Sequence, residues 1–92
     1  MYHVYILLCS DGSFCVGHTA NLQARLKAHN SGRGAAYTFN RLPVELVYSE
    51  AHPARHTALR RERQLKGWGR KKKEALIRGD RDNLRSLSKR RS

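Results

Sequence analysis

A chain of 92 residues has room for one hydrophobic core and not for two. No apolar run approaches the ~20 residues of a membrane span. The opening stretch has no basic leader and ends in the turn Cys9-Ser10-Asp11-Gly12, so neither a spanning nor a secreted protein is expected, and the expected location is the cytoplasm. The formal charge is +12 and uneven: residues 1–59 carry five basic and three acidic side chains (net +2), residues 60–92 fourteen and four (net +10). Such a surface wants a polyanion, most commonly nucleic acid. An anionic membrane is the weaker alternative, because the tail offers only Leu76, Ile77, Leu84 and Leu87 as large apolar groups.

Residues 2–9, YHVYILLC, are β-branched, aromatic and apolar and predict a strand. Asp11-Gly12 predicts a hairpin turn, because glycine takes positive φ without penalty, and residues 13–18 predict the returning strand. A two-residue turn would pair Leu8 with Cys15 and Ile6 with Gly17; a three-residue turn with a bulge would move every pair by one. Cys9 and Cys15 read as reduced thiols in a chain without a secretion signal. Neither they nor the histidines have zinc-ligand spacing, so no zinc site is expected.

A helix follows, capped by Thr19 or Asn21 and ended by Asn30-Ser31-Gly32. Leu22, Arg25, Leu26 and His29 recur at i, i+3, i+4 and i+7 and share one face, an uncommon mixture of apolar and cationic or titratable groups. Residues 32–43 predict a loop carrying Arg33 and Tyr37. Residues 44–50 alternate and predict a third strand, with Pro43 just ahead of it, where its missing N–H does least harm. A second helix is expected over roughly 54–66, with Ala58, Glu62 and Leu65 on its apolar face and Leu59 at the edge. Gly67 and Gly69 bracket Trp68 and break it. Residues 70–78 predict a third helix closed by Gly79, Asn83–Leu87 a short fourth, and residues 88–92 a disordered end.

Hydrolysis of a phosphodiester needs a cation to stabilise charge on phosphorus, a hard carboxylate for Mg²⁺ or Mn²⁺, and a group with a movable proton. Arg25, Glu62 and Tyr5 or His29 are of the right types. An i,i+4 ion pair with Lys66 is the plain alternative for Glu62, but at ~0.5 kcal/mol at most it does not account for a carboxylate in the middle of an apolar face. Cys15 is read on residue type as a core thiol, and Trp68 as a packing residue.

The order strand, turn, strand, helix, with Val4-Tyr5-Ile6 near the start and Val16-Gly17-His18-Thr19 beyond the turn, resembles the GIY-YIG nuclease domain in its small stand-alone bacterial form. The two short motifs stand here as His3-Val4-Tyr5 and Cys15-Val16-Gly17. Asn21 to His29 matches the family's arginine-bearing helix, Ala58 to Trp68 its glutamate-bearing helix, and the loop Ser31 to Thr38 also corresponds. The resemblance covers about residues 2–78. It implies an α+β fold with a three-stranded antiparallel sheet flanked by helices, and metal-dependent cleavage, mostly of DNA. On this resemblance Tyr5 is the first motif tyrosine, Arg25 stabilises the transition state, His29 assists proton transfer or phosphate contact, Glu62 holds Mg²⁺ or Mn²⁺, and Gly17 permits close packing beside the site. Cys15 stands where the second motif tyrosine belongs; a thiol donates more weakly and reaches less far than a phenol.

The expectation is therefore a nuclease domain over residues 1–79 and a basic tail over 80–92. The substrate is single- or double-stranded DNA cut with low sequence specificity, with RNA as a further partner and no membrane. The alternative is a nucleic-acid-binding module on the same fold, weakened catalytically by Cys15. His18, Arg33, Tyr37, Lys66, Arg70, Lys71, Lys72 and Lys73 are the expected nucleic-acid contacts, largely to backbone phosphate. Tyr37 is equally a loop anchor or a platform for a base.

Overall fold

The computed structural model describes residues 1–32 and 41–79. Arg33 and Tyr37, the expected fourth helix and the expected disordered end lie outside the described residues. The elements run β1 (Tyr2–Leu8), β2 (Phe14–Thr19), α1 (Leu22–Asn30), β3 (Glu45–His52), α2 (Arg55–Lys66) and α3 (Arg70–Arg78). The three strands form one antiparallel sheet, as the resemblance implied, and their order is β2-β1-β3.

β1 is central, and that explains its composition. Val4, Tyr5, Ile6 and Leu7 are all buried in succession, because helices cover both faces of the sheet and neither face can be polar. Val4 and Ile6 pack with Val16, Ala58 and Leu65, flanked by Trp68, Leu76 and Ile77 of the α2–α3 side. Tyr5, Leu7 and Cys9 pack with Val44, flanked by Leu22 and Leu26 of α1. β3 pairs with β1 through a bulge: Ile6 faces Tyr48 but Leu7 faces Leu46, leaving Val47 as the extra residue.

The hairpin takes the three-residue alternative. The Cys9 N–H donates to the Ser13 carbonyl (2.8 Å), the Gly12 N–H to the Cys9 carbonyl (2.9 Å), and Gly12 sits at φ +85°. This is a tight turn followed by a left-handed residue, which glycine makes cheap. The pairs become Leu7–Cys15, Ile6–Val16, Tyr5–Gly17 and Val4–His18. Side chains directly opposite share a face, so this register sends Gly17 to the α1 side and His18 to the α2 side.

Asn21 is the helix cap, its side chain accepting from the Ala24 N–H (3.1 Å), while the Thr19 hydroxyl accepts from the Asn21 N–H (3.1 Å). At the other end of α1, Asn30 donates to the Val44 carbonyl (3.2 Å) and accepts from its N–H (2.8 Å). That pair clamps the helix end to the start of β3. In α2, Ala58, Glu62 and Leu65 are the buried residues, the face the spacing predicts. α3 closes at Gly79 with φ +71°. No helix among the described residues is long and apolar enough to cross a membrane.

Candidate active site

β2 is an edge strand with α1 over one face of the sheet and α2 over the other. A groove of about 390 Å³ straddles that edge, lined by Tyr5, Cys15, Gly17, His18, Arg25, His29, Arg55, Glu62 and Lys66. The central and edge strands supply Tyr5 and Gly17, α1 supplies Arg25 and His29, and α2 supplies Arg55, Glu62 and Lys66.

On the α1 side, the Tyr5 hydroxyl and His29 Nε2 lie 3.4 Å apart, with the rings edge to face. His29 is 1% exposed. Burial, then the positive charge of Arg25, holds its imidazole below the ordinary histidine range, so it is neutral at pH 7. Burial pushes the Tyr5 phenol up to about 12, so it keeps its proton. With Nε2 assigned as acceptor, Tyr5 O–H donates to it. Arg25 is exposed and makes no ion pair with a described residue. Gly17 is constrained: a Cβ there would meet the Tyr5 hydroxyl oxygen and its Cζ, the latter at 2.6 Å.

On the α2 side, Glu62 is 9% exposed. Burial raises its carboxyl, but hydrogen bonds from Lys66 and His18 and their charges outweigh that and hold it below the usual range. Oε1 pairs with His18 Nδ1, and Oε2 accepts from Lys66 Nζ at 2.6 Å. His18, expected as a nucleic-acid contact, lines the groove and pairs with this carboxylate. Among the described residues no three His, Cys, Asp or Glu side chains converge as a metal cage. One ionised carboxylate beside an imidazole, on an open groove, still suits Mg²⁺ or Mn²⁺, which keep water and use substrate oxygens.

Cys15 lines the inner wall, packed with Leu22 and Leu26 in the α1-side core. Burial, then neighbouring Cys9, pushes its thiol up, so at neutral pH it is a thiol and not a base. Arg70 faces away from the groove: its guanidinium donates to the Gly12 carbonyl (2.6 Å), stacks over Phe14 (4.5 Å) and pairs with Glu74 (3.3 Å). Lys72 lies over the Trp68 ring at 4.4 Å, with Arg61 at 5.2 Å from the same ring. Lys71 and Lys73 make no ion pair among the described residues. Two features of the groove stand outside those singled out from the sequence. Arg55 lies two helical turns before Glu62, a spacing legible along the chain. The His18–Glu62 pair joins residues 44 apart and has no local signal.

The model of the GIY-YIG catalytic domain matches residues 1–75. The chain belongs to this family. A UPF0213 protein of Bacillus pumilus is 47% identical over 76 residues, 83% of this chain and 78% of the relative. A UPF0213 protein of Halobacterium salinarum is 45% identical over 77 residues, 84% of this chain and all of the relative. The solution NMR structure of a UPF0213 protein from Bacillus halodurans is similar with a TM-score of 0.56 at 43% identity, covering 87% of this chain and 86% of that one. The solution structure of a protein from E. faecalis gives 0.58 at 40%, covering 85% and 83%. GIY-YIG domains are nuclease domains, typically metal-dependent, with nucleic acid as substrate. In this GIY-YIG domain the second short motif is Cys15-Val16-Gly17, with a thiol where the motif has a phenol.

Proposed function

We propose that this GIY-YIG protein is a metal-dependent endonuclease that hydrolyses phosphodiester bonds in DNA with little sequence preference. The observation that carries the reading is convergence: Tyr5, Arg25, His29 and Glu62, from three separate elements, line one open groove. A packing tyrosine, a solvated arginine and a helix-face ion pair would have no reason to meet there.

The division of labour follows from the chemistry of each group. Arg25, exposed and without an ion pair among the described residues, binds a phosphate and neutralises the charge that grows on its oxygens as water attacks. Neutral His29 accepts a proton through the Tyr5 hydroxyl, which can donate one hydrogen bond and accept another, so the pair orients water and relays its proton. Gly17 keeps that hydroxyl at the groove wall. Arg55 and Lys66 hold the strand through its phosphates. Glu62, kept in place by His18, is the residue that holds Mg²⁺ or Mn²⁺; the ion, when bound, supplies further charge neutralisation at phosphate and leaving oxygens.

One observation favours a second reading. The Cys15 thiol is half-buried and donates more weakly and reaches less far than a phenol, so it does not do a phenol's work at the water. On that reading the domain binds nucleic acid without cutting it. Cleavage of labelled single-stranded and duplex DNA with Mg²⁺ or Mn²⁺, beside Glu62→Gln and Cys15→Tyr, separates the two. The nuclease reading expects cutting that Glu62→Gln abolishes. Cutting by Cys15→Tyr alone would make the native protein a binding module, as would salt-sensitive retention of DNA with no cutting by any of the three.

A further inference from the structure

Among the described residues Glu62 is the groove's single carboxylate, and its two oxygens are not held alike. Oε1 faces His18, on a strand whose backbone is fixed by the sheet. Oε2 faces Lys66, a residue of the last turn of α2 whose side chain is 55% exposed while that of Glu62 is 12% exposed. The lysine reaches in from solvent to a recessed anion. Its stem is free to swing away; the carboxylate is not.

A divalent ion at Glu62 binds at ~2.0–2.1 Å from oxygen. An ammonium 2.6 Å from Oε2 and a cation bound to that same oxygen would be like charges only a few ångströms apart, so each disfavours the other. Displaced, the ammonium stays in a groove that also holds Arg25 and Arg55 among the described residues, and a phosphate there gives it a new partner. Resting on the reading of Glu62 as the cation's ligand, we infer that Lys66 is a stand-in cation: it occupies Glu62 in the absence of metal and passes to a nucleic-acid phosphate when metal arrives. Metal and polyanion binding are then positively coupled. Metal frees a cation for the phosphate, and phosphate keeps the lysine off the carboxylate; the coupling is the same in both directions.

The test needs no turnover. Mn²⁺ binding is read from the EPR signal of the free ion for the native protein, Lys66→Met, Arg63→Met and Glu62→Gln. Arg63→Met removes an equal charge from the same helix but one with no described carboxylate partner, so it reports the general field. Lys66→Met is expected to bind Mn²⁺ tighter than Arg63→Met does, by up to about fivefold, the scale of an ion pair with an exposed partner. Fluorescence anisotropy of a phosphorothioate oligonucleotide, with and without Mn²⁺, reads the coupling. Mn²⁺ is expected to tighten oligonucleotide binding in the native protein and to do so less in Lys66→Met. If Glu62→Gln loses Mn²⁺ while Lys66→Met matches Arg63→Met, or the coupling is unchanged, the handover is wrong and the ligand reading stands. If Glu62→Gln binds Mn²⁺ like the native protein, the ligand reading falls and the handover with it.

Discussion

The Tyr5 ring occupies the space that a side chain on Gly17 would fill. The two residues are paired across β1 and β2, and Tyr5 is 4% exposed, so the ring has nowhere to retreat. Gly17→Ala is expected to shift the phenol or the strand and to cost ~1–3 kcal/mol, the range for an overpacked core, read as a fall in denaturant midpoint. Tyr5→Phe keeps the ring and removes only the hydroxyl. It is expected to hold stability within ~1 kcal/mol while cleavage falls by roughly 10² or more. A Gly17→Ala protein with native stability and native cutting would show that the phenol does not need this wall.

His29 gives a pH signature. Burial and Arg25 hold its imidazole below 6.5 in the fold, whereas the unfolded chain titrates near ~6.5. Between the two values the unfolded state binds more protons, so stability rises with pH through that window. The contribution is complete above 6.5 and is lost as pH falls through the folded value. The melting temperature of the native protein is expected to fall from pH 7 to pH 5 more steeply than that of His29→Gln. Parallel slopes would place the imidazole in a more polar setting.

Glu50 also titrates below its ordinary range. Burial raises its carboxyl, but hydrogen bonds from Tyr48 (2.6 Å), His52 (2.6 Å) and Arg61 (3.0 Å) outweigh burial and hold it below 4.5. A folded carboxyl that releases its proton at lower pH stabilises above 4.5, and that stability is lost as pH falls through the folded value. Glu50→Gln is expected to cost ~1–3 kcal/mol at pH 7, with the gap to the native protein closing below pH 4.5. Urea midpoints at pH 7 and pH 3.5 check it; a gap that stays constant would refute the sign.

Arg70 and its neighbours should separate stability from binding. Arg70→Ala removes a hydrogen bond to the Gly12 carbonyl and a stack on Phe14. It is expected to cost ~1–2 kcal/mol and to leave the salt dependence of DNA binding nearly unchanged. Lys71→Ala with Lys73→Ala is expected to leave the melting temperature alone. It should lower the slope of log affinity against log salt by ~0.9 for each duplex phosphate that is no longer neutralised. The reverse pattern would assign the phosphate to Arg70.

Much of this molecule is legible along the chain because the signals are local. The continuous apolar run of β1 announces a strand, Gly79 the end of a helix, and the spacing of Ala58, Glu62 and Leu65 a carboxylate on the buried face of α2. Hairpin register was not decidable, because Asp11-Gly12 suits a two- or a three-residue loop; the hydrogen bonds of Cys9 chose the latter. Arg70 sits in a basic run that looks solvated until the hairpin tip is placed against α3. His18–Glu62 and Asn30–Val44 are pairings made by the fold, between residues with no periodic relation, so no single segment signals them.

The strand order β2-β1-β3 also governs how the chain comes into being. Tyr5, Gly17, His18, Arg25 and His29 are all made within the first 29 residues, but β1 lacks its second partner until His52 is complete and its α2-side cover until Leu65. A lone two-stranded hairpin is marginal in water, and Val4 and Ile6 would face solvent on it. The arginine-bearing half of the groove therefore has no persistent shape on a growing chain. Fragments that stop short of Lys66, whether nascent or proteolytic, are expected to be unfolded polypeptides and not weak versions of the domain, so the site is assembled whole or not at all.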